Sequence, residues 1–134
     1  MLLFPLLSER FFMPTPEHVL GPLRASADPD AKVLVLLAEA GADLQKPHVP
    51  EFAFEVETAD IAQAIANELS CLGLGFDVDL YAPAPEDANP NHWVVAKRTM
   101  VLDLPVVMEL SAQFEALAVK HHVSYDGWGA EIVE

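Results

Sequence analysis

Carboxylates are the most numerous groups in this chain that could do chemistry, and their spacing decides what kind. Glu51, Glu55 and Glu57 alternate with Phe52, Phe54 and Val56, while Asp77 and Asp79 flank Val78. Paired carboxylates can move protons or hold a cation. On a strand, residues two apart share one face, so the alternation reads first as a solvated outer surface. The second reading is an acidic patch to which both segments contribute, docking Arg or Lys side chains of a partner.

The other reactive residues stand in the wrong surroundings. A nucleophilic cysteine needs a base and a lowered pKa; Cys71 has no histidine close in sequence, sits beside Leu72, and is expected to be a buried thiol. His121 and His122 are neighbours, and on a helix neighbours point about 100° apart, whereas a zinc pair needs a four-residue spacing. Packing and C-terminal capping explain them better, since cations are favoured there. Gly73-x-Gly75 lacks the third glycine of a dinucleotide loop and follows a helix, not a strand. No catalytic set, metal site or cofactor motif is expected.

The elements that would position these residues can be read from periodicity. Asp28-Pro29-Asp30 opens a helix, with Asp28 as cap and Pro29 in the first position; it runs through Val33, Leu34, Leu37 and Ala40 and stops at Gly41. Residues 50–57 form a strand of period two. Ile61, Ile65, Leu69 and Leu72 are spaced as one helix face, closed by Gly73. A strand at Phe76–Leu80, a polar loop over 82–91, a central strand from Trp93 to Leu102, a helix from about Leu104 and a last strand around Val123–Val133 complete the order. The expected fold is α+β: a ferredoxin-like β-α-β-β-α-β antiparallel sheet with two helices on one face and an extra N-terminal helix. Residues 1–26, with four prolines and three phenylalanines and no clear period, read as an extended arm ahead of a domain at 27–134.

Composition sets limits on partners. The 134 residues carry 21 acidic and 7 basic side chains, a formal net charge of −14, and 52% are hydrophobic, enough for a sizeable core. Phosphate backbones are bound by Lys and Arg, so direct nucleic-acid binding is not expected; a basic protein surface is the electrostatic complement. A single cysteine suits a reducing compartment, and no run approaches the roughly 18 apolar residues of a membrane span. The apolar start, Met1 to Leu7, has no preceding positive charge, is interrupted by Pro5 and is followed by no close cleavage site. It is expected to belong to the mature chain, or to lie upstream if Met13 is the start, and the cytoplasm is the expected location.

The most distinctive segment is Tyr125-Asp126-Gly127-Trp128-Gly129, entered through Val123-Ser124 behind a helix that contains Ala112 to Lys120. The helix, its cationic end and this pentapeptide at this distance resemble the C-terminal signature of the RraB family. The earlier order of elements from Asp28 onward agrees with it. The resemblance implies a small acidic cytoplasmic protein that binds and inhibits ribonuclease E, altering RNA decay without catalysis. Some members carry a long acidic tail where this sequence ends at Glu134, and the first 26 residues have no match. Physically, glycines around Trp128 suggest a bulge or a close backbone approach. Either Trp128 is a core or edge anchor, with Asp126 bonding its own backbone, or Tyr125 and Trp128 are partly exposed interface anchors.

The expectation is therefore a non-enzymatic ribonuclease regulator acting through an acidic surface, its oligomeric state open. Its tentative contact residues are the pentapeptide together with Glu51, Glu55, Glu57, Asp77 and Asp79. The rival readings are an acidic module that antagonises another basic enzyme or toxin, and a ferredoxin-like small-molecule sensor.

Overall fold

The computed structural model describes residues 14–134. Helices α1 (Glu17–Ala25) and α2 (Pro29–Glu39) come first, followed by β1 (Pro47–His48) and β2 (Glu51–Val56). Then follow α3 (Ala59–Cys71), β3 (Asp77–Tyr81), β4 (His92–Lys97), β5 (Met100–Val101), α4 (Leu104–His121) and β6 (Ser124–Gly129). The fold is α+β, with four helices and two antiparallel sheets among the described residues. The larger sheet has the order β3-β4-β2-β6, and β1 and β5 form a two-stranded ladder.

Local chemistry starts and stops the helices. The Asp28 carboxylate accepts from the Asp30 N–H at 2.8 Å, satisfying one of the unpaired donors of the first turn of α2. Thr58 does the same for α3 through the Ile61 N–H at 3.2 Å. His122 ends α4 in the left-handed conformation, φ 55°.

Phe52, Phe54 and Val56 of β2 point to the buried side of the large sheet. There they meet Ile65 and Leu69 of α3 and Leu110 and Phe114 of α4. The Phe114 ring stands edge-on to Phe52, Phe54 and Phe76, with centroids 5.0, 5.7 and 5.4 Å away. Such tilted pairs add to the area term because ring edges and faces carry opposite partial charge. A second core joins Leu20 and Leu23 of α1 to Leu34 and Ala38 of α2, with Leu102 and Val107. Two side chains, Met100 and Trp128, pack against both cores.

Four expectations are corrected. Residues 17–25 are helical, not extended, because Leu20 and Leu23 share a face that the second core buries; Gly21 and Pro22 disguise the period. Thr15 pins the entry to this helix, donating to the Ala42 carbonyl at 2.7 Å and accepting from the Leu44 N–H at 3.0 Å. The strand expected over 93–102 is broken after Lys97, and Met100–Val101 leaves the large sheet to pair with Pro47–His48. Cys71 is exposed, since it lies two residues beyond buried Leu69 and so on the opposite side of α3. Leu72, at the helix end, is also exposed. The readings placed on residues 1–13 lie outside the described residues.

The chain end folds back on the segment before β2. Val133 accepts from the Asp43 N–H at 2.7 Å, and its own N–H donates to His48 Nε2 at 3.2 Å. His48 is fully buried, and its Nδ1 lies 2.9 Å from the Lys46 carbonyl, which can only accept. With these partners Nδ1 is placed to donate and Nε2 to accept.

Candidate functional site: an acidic sheet face and the groove behind it

The strand register places the expected contact residues on opposite sides of the large sheet. Glu51 lies opposite Lys97, which lies opposite Asp77; Glu55, Trp93 and Tyr81 make a second such row. Between them Ala53, Val95 and Asp79 make a third. All are turned away from the helices, because their neighbours Phe52, Phe54, Val94 and Ala96 fill the core. Glu57 follows directly after β2 and is exposed. The face is thus an apolar stripe, Trp93 and Val95, flanked by carboxylates from β2 and β3.

Three of these groups already have partners. Lys97 is 3.0 Å from Asp79, and that carboxylate raises the lysine pKa above its usual value. Glu55 accepts from the Asn91 and Asn89 side-chain amides at 2.8 and 3.0 Å, which lowers its pKa because the charged form is the better acceptor. Glu51, Glu57 and Asp77 have no ion-pair partner among the described residues. They are the carboxylates most available to a ligand on this face.

The pentapeptide is built differently. Phe52 pairs with Trp128 and Phe54 with Tyr125, so Asp126 and Gly127 together oppose Ala53 alone, a β-bulge. Gly127 adopts φ +88°, a conformation that costs a residue with a Cβ and costs glycine little. The bulge turns both Tyr125 and Trp128 inward. Tyr125 packs 5.2 Å from the Phe54 ring and Trp128 6.0 Å from that of Phe52. The indole N–H donates to Asp30 Oδ1 at 2.9 Å, and the Ser111 hydroxyl donates to the same oxygen at 2.9 Å. Trp128 is therefore an anchor tying β6 to the first turn of α2. The expected backbone bond of Asp126 is not found among the described residues; its side chain is exposed.

In front of the bulge lies a groove of about 640 Å³ between α2, α4 and β6. Asp28, Asp30, Glu115 and Asp126 line it, with Val33 and Met108 supplying apolar wall. Tyr125 borders it, its hydroxyl buried and without a hydrogen-bond partner of good geometry among the described residues. Burial pushes the Tyr125 phenol well above its usual range, and the nearby negative charges of Asp30 and Glu115 add to this. The Ser111 hydroxyl works in the opposite direction, but its own proton is directed to Asp30. Sequence reasoning missed Asp30 and Glu115 as site residues. Asp28-Pro29-Asp30 explained itself as a helix start, and nothing in the sequence places Glu115 beside it.

Comparison with known proteins decides the family. The family model described as Regulator of ribonuclease activity B matches residues 27–130. The chain belongs to the RraB family. It is similar to the Regulator of ribonuclease activity B of Pseudoalteromonas atlantica, 28% identical over 99 residues, covering 73% of this chain and 83% of the relative. The protein of the same name from Pseudoalteromonas translucida is 32% identical over 105 residues, covering 73% and 87%. The matched span contains both the acidic sheet face and the Tyr125–Gly129 pentapeptide. No described helix is long and apolar enough to cross a membrane.

Proposed function

We propose that this RraB-family chain is a cytoplasmic, non-enzymatic regulator that binds a ribonuclease of the ribonuclease E type and restrains RNA decay. In this reading the 27–134 domain has a ferredoxin-like plan, supported by the β3-β4-β2-β6 order, and its sheet presents the acidic face to a basic segment of the enzyme. The observation that carries it is the distribution of charge: Glu51, Glu55, Glu57, Asp77 and Asp79 surround an apolar stripe on which Lys97 is the one strand cation among the described residues. Such a surface attracts an arginine- or lysine-bearing protein, repels RNA, and gives its contacts an apolar centre. Binding there would occupy the enzyme's RNA-binding or scaffold segment without any bond being made or broken.

Charge reversal tests it. Glu51→Lys combined with Asp77→Lys alters carboxylates that have no ion-pair partner among the described residues, so the fold should survive. Ribonuclease E binding, measured by surface plasmon resonance, is expected to weaken by about tenfold or more, mainly through slower association, and wild-type affinity should fall as salt rises. Binding that ignores both the double reversal and salt would remove this face from the function.

A further inference from the structure

The groove in front of the β6 bulge differs in construction from the sheet face and lies on the other side of the molecule. Its volume of about 640 Å³ is of the size that holds a ligand or a few peptide side chains. Four carboxylates line it and, among the described residues, no Lys, Arg or His does. Its aromatic walls, Tyr125 and Trp128, are held from behind by Phe54 and Phe52. Asp30 is also fixed in place, because the indole and the Ser111 hydroxyl both donate to its Oδ1. The groove is a rigid acidic slot with apolar sides.

We propose that this groove receives an arginine side chain, flanked by apolar residues, from a peptide segment of the protein partner. The inference rests on the reading that the chain acts by docking a protein. Arginine fits better than lysine. Its planar guanidinium can lie against an aromatic wall while its fork of N–H groups reaches two carboxylates, here Glu115 and Asp126. Arginine has no acceptor, and the carboxylates around the groove can take its N–H groups. A second copy of the chain is a poor occupant, because two molecules with a formal charge of −14 repel. Met108 and Val33 give the flanking apolar residues something to cover.

The test uses a blocked synthetic peptide with a central arginine between leucines, and the same peptide with citrulline, which keeps the shape and removes the charge. Both are titrated into the full chain and followed by amide and indole N–H chemical shifts. The arginine peptide should move Gly127, Asp126 and the Trp128 indole signal. Citrulline, or the Glu115→Gln/Asp126→Asn double variant, should weaken binding at least about tenfold. Both substituted side chains are exposed, and the variant's thermal midpoint serves as the folding control. Equal binding of the citrulline peptide, shifts confined to Trp93 and Tyr81, self-association that fills the groove, or no binding at millimolar peptide would each overturn the proposal. Ribonuclease binding that is intact in the wild type and unchanged in the double variant would also overturn it, while leaving the proposed function standing. Ribonuclease that fails to bind the wild type would sink the proposed function, and the peptide titration would still decide the groove.

Discussion

Trp128 does three things at once: it packs on Phe52, donates to Asp30 and borders the groove. Its two contributions can be separated. Trp128→Phe keeps most of the ring and loses the N–H, leaving the Asp30 carboxylate one donor short, and should cost about 1–2 kcal/mol. Trp128→Ala removes the packing as well and should cost about 3–5 kcal/mol; urea denaturation measures both. A second residue-scale prediction concerns Glu68. It accepts from Lys120 at 2.7 Å and lies 2.9 Å from His121 Nε2, and the Lys120 bond above all holds its pKa below the usual carboxylate value. A depressed folded pKa stabilises the protein above the unfolded value near 4.5, and that stabilisation disappears as pH falls through the folded pKa. The thermal midpoint of Glu68→Gln should therefore lie below wild type at neutral pH, and the gap should close in acid.

Between elements, what the sequence made legible was whatever a local period or cap controls. Asp28 and Pro29 mark the start of α2, and the Phe52, Phe54 and Val56 alternation sets the inward face of β2. Illegible features depend on distant parts of the chain. Leu20 and Leu23 mark a helix only once the second core exists to bury them. The divorce of β5 from β4 follows from the β1 ladder, which a single short segment cannot announce. The candidate site divides the same way: glycine spacing revealed the bulge and alternation revealed the acidic face, but only the tertiary fold puts Glu115 and Asp30 beside Tyr125. The bulge makes its own prediction. A Cβ at Gly127 would meet nothing within 4 Å, so the objection to a side chain there is the +88° φ alone. Gly127→Ala should cost about 1–2 kcal/mol, seen as a lower denaturation midpoint with the groove shape kept.

Across the whole molecule, the charge excess is sharpened by where the cations go. Of the Lys and Arg residues among those described, Arg24 faces Glu17, Lys97 faces Asp79 and Lys120 faces Glu68. Lys46 Nζ donates to the Glu134 carbonyl at 2.7 Å, and Arg98 lies over the Phe76 ring at 4.7 Å. Only Lys32 is left outside these contacts. Most positive charge is therefore neutralised locally or laid on the protein's own surface. The acidic sheet face and the acidic groove lie on opposite sides of the body within one negative field, so under the proposed function a basic segment would be attracted from many directions before it is sorted between them.

The indole that touches both hydrophobic clusters also bears on how the molecule comes apart. Two cores sharing a rivet should open as one, so amide deuterium uptake in α2 and in β2 should report the same opening free energy. Taking the rivet away with Trp128→Ala should let α1 and α2 exchange early while the large sheet still resists. Clearly different opening free energies for the two regions of the wild type would mean that the two halves never depended on each other.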